Sequence, residues 1–271
     1  MSDRPQIIGI LNVTPDSFHD GGELKTVDQA LRRAEQMLAD GADILEIGGQ
    51  STGPNSTDVS LDEEERRVLP VIKAVHARFP QARLAVDTFK SEVARHGFDC
   101  GVQMVNDVTA GRGDERMFAT MSHSSAVLVL MYAKDPTPRT TIAPTQYDDV
   151  VETIRSFLAE RKRVAVASGI APERIILDPG LGQFVSSDPR YSFEILARLS
   201  EFASLGSPIL VSPSRKSFLA GSAQLPTADR LPATLAASAI AVEHGASFIR
   251  THDVPEVRRA CEIAWNIRQE G

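Results

Sequence analysis

The sequence predicts an α/β protein of the (β/α)8, or TIM-barrel, class, and two observations predict it. Eight short apolar stretches of strand length alternate with stretches of helical periodicity along the whole chain, and strands that alternate with helices pair in parallel. The 271 residues then suit eight such units closed on themselves, for which about 250 residues is typical. An open doubly wound sheet is the other solution. It asks for a first turn of the form G-x-G-x-x-G, where this chain has GILNVTP. No internal repeat, low-complexity tract or linker breaks the alternation, so residues 1–271 read as one domain.

The first strand, Ile7–Leu11, stops at Asn12 and gives way to a polar loop with Pro15, Asp16, Asp20 and Gly21-Gly22. Val27, Ala30, Leu31, Ala34, Met37 and Leu38 then share one helical face, with Thr26 and Gln29 placed as a capping box. Strand two, Asp43–Ile47, leads into GGQSTGPNSTDV. A helix follows from Ser60, with Glu63 three residues on, an acidic first turn that suits the macrodipole, and Pro70 to bend it. Strand three, Arg83–Val86, ends at Asp87; strand four, Gln103–Val105, ends at Asn106-Asp107. Strand five, Ala126–Met131, ends at Tyr132 and a Pro- and Thr-rich loop, after which a helix runs from about Asp148 to Ala167 and closes at Gly169. Strand six, Arg174–Leu177, ends at Asp178, and strand seven, Pro208–Val211, at Ser212-Pro213-Ser214-Arg215-Lys216. Strand eight, Ser247–Ile249, ends at Arg250, with His252 two positions on. Asp253 can cap the last helix, whose inner face is Val257, Ala260, Cys261 and Ala264.

Composition narrows the function classes. Hydrophobic residues make up 42% and charged residues 24%, ordinary for a globular protein with a full core. A net charge of -7 argues against a nucleic-acid groove or an anionic membrane, yet leaves room for a small anion met by a few focused cations. Cys100 and Cys261 make no disulfide framework and fit a reducing compartment. No basic-then-apolar leader opens MSDRPQ, and no run approaches the ~18 residues of a membrane span; the expectation is a cytoplasmic protein. The six histidines include no i, i+4 pair and no Cys/His cluster, which speaks against zinc, and no G-x-S-x-G elbow supports a serine nucleophile.

Barrel enzymes keep their chemistry at the carboxyl ends of the strands. Those ends carry Asn12, Asp87, Asn106, Met131/Tyr132, Asp178, Lys216, and Arg250 with His252. A lone Asp or Asn after a strand is more often a turn former, and Asp16 and Asp107 are left in that role. Seven polar ends out of eight exceed what turn chemistry needs. Asp87, Asn106, Asp178 and Lys216 suit the edge of a flat nitrogen heterocycle, since a carboxylate accepts parallel N–H bonds and an ammonium reaches a carbonyl. Asn12, Thr52, Arg250 and His252 come from strands one, two and eight, neighbours in a closed barrel. Their donors suit a phosphorylated group, and the Asn12 amide oxygen suits Mg2+ bound to that group.

Seven collinear motifs, GILNVTPDSFHDGG (9–22), GADILEIGGQST (41–52), VDTFKSEVA (86–94), Asn106-Asp107, LDPGLG (177–182), SRKSF (214–218) and RTHDV (250–254), resemble those of the dihydropteroate synthases. The resemblance spans nearly the whole chain. The first motif and SRKS are specific to that family, whereas the Asp and Asn positions are shared with methyltetrahydrofolate-dependent methyltransferases. It implies condensation of 6-hydroxymethyl-7,8-dihydropterin diphosphate with 4-aminobenzoate, giving 7,8-dihydropteroate and pyrophosphate, in a homodimer. It also implies that Asp87, Asn106, Asp178 and Lys216 hold the pterin, with Lys216, Asp178 and Asp87 carrying the catalysis. Thr52, Arg250 and His252 would hold the diphosphate, Asn12 the Mg2+, and Ser217 the aminobenzoate carboxylate. The loops after strands one and two would close over the site and exclude water.

The chain departs from the family pattern around the acceptor and outer phosphate. Gly53-Pro54 replaces Arg-Pro, Tyr132 replaces His, Leu181-Gly182-Gln183-Phe184-Val185 replaces F-G-F-G-K with loss of an aromatic and a lysine, and Ser212-Pro213 replaces Gly-Met. Similar departures occur in sulfonamide-resistant synthases, so weak sulfonamide binding is expected. Two other functions remain open on sequence: a pterin-binding methyltransferase, against which the phosphate residues and SRKS speak, and a non-catalytic pterin-binding paralogue, motivated by Gly53.

Overall fold

The computed structural model describes residues 4–13, 23–54 and 56–270, with 23–26 as backbone only. Along the chain stand β1 (Gln6–Asn12), α1 (Glu23–Ala39), β2 (Ile44–Gly48), α2 (Leu61–Arg78), β3 (Arg83–Asp87), α3 (Ser91–Asp99), β4 (Val102–Asp107) and α4 (Met117–Ser122). They are followed by β5 (Val127–Met131), α5 (Val150–Ala167), β6 (Ile175–Asp178), α6 (Pro189–Ala197), β7 (Leu210–Val211), α7 (Leu231–Glu243), β8 (Phe248–Thr251) and α8 (Val254–Glu270). Neighbouring strands pair in parallel in the order β6-β5-β4-β3-β2-β1-β8-β7. The ring closes between its two ends: Ile209 bridges Leu177, whose N–H donates to the Pro208 carbonyl at 3.0 Å. This is the expected (β/α)8 barrel.

The pleat divides each strand between two environments. Outward residues such as Leu45, Leu84, Val105, Leu128 and Leu177 pack against the inner faces of the helices, among them Met37, Ile72, Leu158 and Val257. Inward, one residue from each strand fills the barrel: Ile8, Ile44, Ala85, Met104, Val129, Ile176, Leu210 and Phe248. Each large aliphatic side chain so buried contributes about 1.5–3 kcal/mol. This apolar plug is the floor of the site.

Several boundaries differ from the sequence expectation, each for a local reason. α1 already runs at Thr26, because Glu23, Leu24 and Lys25 are good helix formers and extend it past the expected cap. α2 is capped as expected, Ser60 Oγ accepting from the Glu63 N–H at 3.2 Å, and continues through Pro70. The cap of α5 is Asp149, whose carboxylate accepts the Glu152 N–H at 2.9 Å. Asp253 does not cap α8 through its side chain. Its carboxylate instead takes a two-pronged ion pair from Arg215, at 2.8 and 2.7 Å. The loop with Pro15, Asp16, Asp20 and Gly21-Gly22, and its closure over the site, lie outside the described residues.

Gly180, just past β6, shows where the backbone leaves no choice. Its φ is +69°, and a Cβ there would stand 2.4 Å from the Tyr132 carbonyl oxygen. Gly180→Ala is therefore expected to cost ~2 kcal/mol or more, from left-handed strain alone about 1–2, read as a lower urea midpoint at unchanged slope.

Candidate active site

Two residues beyond each plug residue, the pleat turns a second set of side chains inward, and six of the eight are polar: Glu46, Asp87, Asn106, Asp178, Ser212 and Arg250. Ile10 and Met131 are the apolar exceptions. Glu46, fully buried, organises the group. One of its oxygens takes an ion pair from Arg250, and the other accepts from Asn106 Nδ2 at 3.2 Å. Arg250 Nη2 also donates to Asp87 Oδ2 at 2.8 Å. With its amide nitrogen so committed, Asn106 is left with a buried Oδ1 that has no hydrogen-bond partner among the described residues. A native fold keeps such an atom where something else supplies the donor.

Across the barrel, Asp178 Oδ1 accepts the Gly180 N–H at 2.7 Å. Lys216 Nζ donates to the Leu181 carbonyl at 3.2 Å and lies 5.1 Å from the centre of the Phe184 ring. Asp178 and Lys216 feel each other's charge without closing an ion pair. The space between these acceptors and the Lys216 ammonium, the slot, offers the complementary acceptor and donor edges that a flat nitrogen heterocycle needs.

Burial dominates the titration of this cluster. It pushes Asp178 up to about 6, opposed by Lys216, and Asp87 up to about 7, reinforced by Glu46 and opposed by Arg250. It pulls Lys216 down to about 8 against the pull of Asp178. For Arg250 burial works against the charge, but Glu46 and Asp87 outweigh it and raise its pKa above the ordinary value. Burial and Arg250 bring His252 down to about 4, so its ring is neutral near pH 7.

These directions fix two pH dependences. For stability, the raised carboxyl pKa values favour the fold below the ordinary carboxylate value of about 4, and that contribution is lost as pH rises through about 6 to 7. For kcat/KM of a ligand that needs both carboxylates ionised and Lys216 protonated, the profile is a bell. It rises as Asp178 and Asp87 ionise and falls as Lys216 deprotonates near 8. Lys216→Arg is expected to remove the alkaline limb in a pH–rate series.

Above this level stands the rim. Asn12 ends β1 with its side chain exposed, over Gly48; a Cβ on Gly48 would come within 3.6 Å of Asn12 Oδ1 and 4.0 Å of Asp87 Oδ2. The bare glycine thus leaves that amide oxygen and the carboxylate facing one open space. His252 Nδ1 lies 3.1 Å from Ser214 Oγ, which also accepts the His252 N–H at 3.2 Å, and this orients the ring from one side. Thr52 sits in the loop after β2, where its carbonyl accepts the Thr140 N–H at 3.1 Å. Ser217 opens a short 3-10 turn after β7 and accepts from Gln183 Nε2 at 3.3 Å.

The structure therefore brings Asp87, Asn106, Asp178, Lys216 and Arg250 into one pocket, with Asn12, Thr52, Ser217 and His252 around its mouth. Arg250 departs from the expected division. It lies within β8 rather than after it, and bridges to Asp87 in the deep set instead of standing at the rim, because Glu46 anchors it. Of the two aromatics in the family pattern this turn keeps one, Phe184, whose ring faces Lys216. Asp107 is the turn former expected, accepting from the Thr109 N–H at 2.8 Å and the Gly111 N–H at 2.7 Å. Glu46 escaped the sequence reading because ADILEIGG reads as one apolar strand. Its signal was there: besides Asp43 at the strand's start, the run carries one charge, two residues after the plug residue Ile44.

Fold and pocket define a barrel enzyme that receives a small polar ligand at the carboxyl ends of its strands. Residues 8–252 match the family model described as pterin binding enzyme. The chain is 37% identical to the dihydropteroate synthase of Synechocystis over 262 residues, 96% of this chain and 89% of that protein. Identity is 41% over 263 residues, 97% of this chain, with a probable bifunctional folylpolyglutamate synthase/dihydropteroate synthase of Haloferax volcanii, of whose length the match covers 30%. A solved structure of Xanthomonas albilineans dihydropteroate synthase with 4-aminobenzoic acid gives a TM-score of 0.90 at 37% identity, over 99% of this chain and 94% of that one. The chain belongs to the dihydropteroate synthases of the pterin-binding family.

Proposed function

We propose that this chain condenses 6-hydroxymethyl-7,8-dihydropterin diphosphate with 4-aminobenzoate, releasing pyrophosphate and forming 7,8-dihydropteroate. The observation that carries the reading is the slot between the unpartnered Asn106 Oδ1, with Asp87 and Asp178, and the separated Lys216. A pterin presents N–H donors along one edge and a carbonyl on another, and these walls answer both. The X. albilineans relative was solved with 4-aminobenzoic acid, which supports the acceptor.

In this reading Thr52 and the neutral His252 hold the diphosphate from the rim, and Arg250, anchored by Glu46 and Asp87, meets it from the deep set. Departure of pyrophosphate leaves positive charge on the pterin methylene, and Asp87 and Asp178 stabilise it in a pocket removed from bulk water. The arylamine is a neutral nucleophile near pH 7. Once the C–O bond has broken, its nitrogen forms the new C–N bond with that methylene and its surplus proton passes to solvent, so no strong base is required. Among the described residues no three His, Cys, Asp or Glu side chains cluster as a metal cage. The uncovered Asn12 oxygen fits instead a Mg2+ that keeps waters and binds mainly through substrate phosphates, supplying charge neutralisation of the leaving group.

Three finer points belong to the same proposal. The activity is cytoplasmic, in keeping with two buried free thiols, and no helix among the described residues is long and apolar enough to cross a membrane. The protein is a homodimer through α7 and α8, where Ile240, Ile263 and Ile267 are 46%, 62% and 63% exposed; sedimentation of an Ile263→Asp variant as a monomer, against a dimeric parent, tests this. Sulfonamides inhibit weakly, because the changes at Gly53 and Gln183 fall in the loops at the mouth; the change at Tyr132 does not reach it, since that ring packs in the core edge-on to Phe157 with its hydroxyl on Tyr147.

The deciding assay combines purified protein, pterin diphosphate, labelled 4-aminobenzoate and Mg2+. Labelled pteroate and pyrophosphate, both abolished by EDTA, are expected; pterin binding without turnover would instead mark a non-catalytic paralogue. An inhibition curve as sensitive as that of an ordinary synthase would remove the resistance part.

A further inference from the structure

After β7 the chain makes a tight turn over Pro213–Lys216, closed by the Lys216 N–H on the Pro213 carbonyl at 3.2 Å. Its third residue, Arg215, has a φ of +54°, a conformation that a Cβ disfavours and that turns ordinarily give to Gly or Asn. Glycine would take that backbone without strain, so what the turn gains from arginine lies in its side chain. That side chain commits every guanidinium nitrogen. Nε and Nη2 donate to the two Asp253 oxygens at 2.8 and 2.7 Å, and Nη1 donates to the Thr227 and Ala228 carbonyls at 3.2 and 2.8 Å. The main chain is held as well: the Arg215 N–H donates to Thr234 Oγ1 at 3.0 Å, and its carbonyl accepts from Arg230 Nη1 at 3.0 Å.

The bridge joins two loops of the site. Asp253 follows His252 as Arg215 follows Ser214, and Ser214 Oγ is itself bonded to the His252 ring at 3.1 Å and to its N–H at 3.2 Å. Two successive residues after β7 thus grip two successive residues after β8. The contact through Ser214 alone leaves a hinge, because a hydroxyl rotates; the planar fork of a guanidinium on a carboxylate removes that freedom. Next along the chain from Arg215 is Lys216, the ammonium of the slot, and just before Asp253 is His252, at the rim. A substrate with a heterocycle at one end and a diphosphate at the other needs both in place at once. Backbone strain retained beside two such groups points to a functional constraint.

We infer that Arg215 is a positioning residue for the pterin diphosphate: by bridging to Asp253 it sets Lys216 and His252 at the spacing that the two ends of that one substrate require, and touches neither end. The inference rests on the proposed synthase reaction. Arg215→Gly keeps the backbone conformation and removes the bridge, whereas Asp253→Asn keeps the shape and removes the charge. Each should lower kcat/KM for pterin diphosphate about tenfold or more, while the inhibition constants of its two halves measured separately, 6-hydroxymethyl-7,8-dihydropterin and pyrophosphate with Mg2+, stay within about twofold. Two subsites at the wrong spacing still bind their own fragments but lose the advantage of joining them. The double variant should lose no more than the worse single one, since both break one bridge.

An unchanged kcat/KM in Arg215→Gly, a loss for either fragment equal to that for the joined substrate, or additive losses in the double variant would overturn the assignment, while wild-type turnover keeps the synthase reading intact. So would a fall in activity that merely follows the urea midpoint of each variant. Absence of pteroate formation by the wild type would overturn both.

Discussion

Lys216→Ala and Asp178→Asn are each expected to lower kcat/KM by at least ~2 kcal/mol in transition-state terms, roughly thirtyfold. Lys216 is the cation of the slot, and its partners show that the protein gains nothing from it at rest. Burial pulls its pKa down to about 8, and among the described residues its one hydrogen bond goes to the Leu181 carbonyl at 3.2 Å. A depressed lysine favours the fold only above its ordinary pKa of about 10.4, and loses that contribution as pH falls through about 8. Removing it should leave stability unchanged or slightly raised near pH 7 while activity collapses, the pattern of a group kept for function. Asp178→Asn is nearly isosteric but replaces an acceptor by an N–H aimed at ligand N–H groups. Near-wild-type kcat/KM in either variant, or a loss of activity that tracks a loss of stability, would count against the slot as the pterin site.

The barrel was legible in the sequence because its signal is local. Each strand is a short apolar run, each helix a periodic one, and the polar residue at a strand's end is visible as soon as the run stops. Asp87, Asn106 and Asp178 all terminate such runs. What was not legible depends on the closed ring. Glu46 and Arg250 are 204 residues apart, and only barrel closure puts them in contact. Once closed, an inward charge inside an apolar strand becomes tolerable because its partner faces it from another strand. The clasp of Thr140 on Thr52 and Gln183 joins three loops that have no periodicity of their own. Strand ends are thus readable one at a time, while the pairs that give them their charge states are not.

Glu46→Ala is expected to destabilise the fold by about 3–5 kcal/mol, because it strands a buried guanidinium rather than merely deleting a contact. Glu46 is fully buried, takes the Arg250 ion pair, and holds Asn106 Nδ2 at 3.2 Å. Its removal leaves Arg250 with Asp87 alone and Asn106 with both ends of its amide unpaired. The two effects separate in a double-mutant cycle. Glu46→Leu combined with Arg250→Met replaces the pair by apolar bulk and should regain most of the lost stability in urea unfolding, since a buried ion pair contributes little net stability against such a replacement. It should not regain activity, because Arg250 and the orientation of Asn106 are both gone. Recovery of kcat/KM in the double variant, or a cost below about 1 kcal/mol in Glu46→Ala, would show that the pocket does not depend on this pair. The expected split, stability restored and chemistry not, ties the buried charge to the ligand.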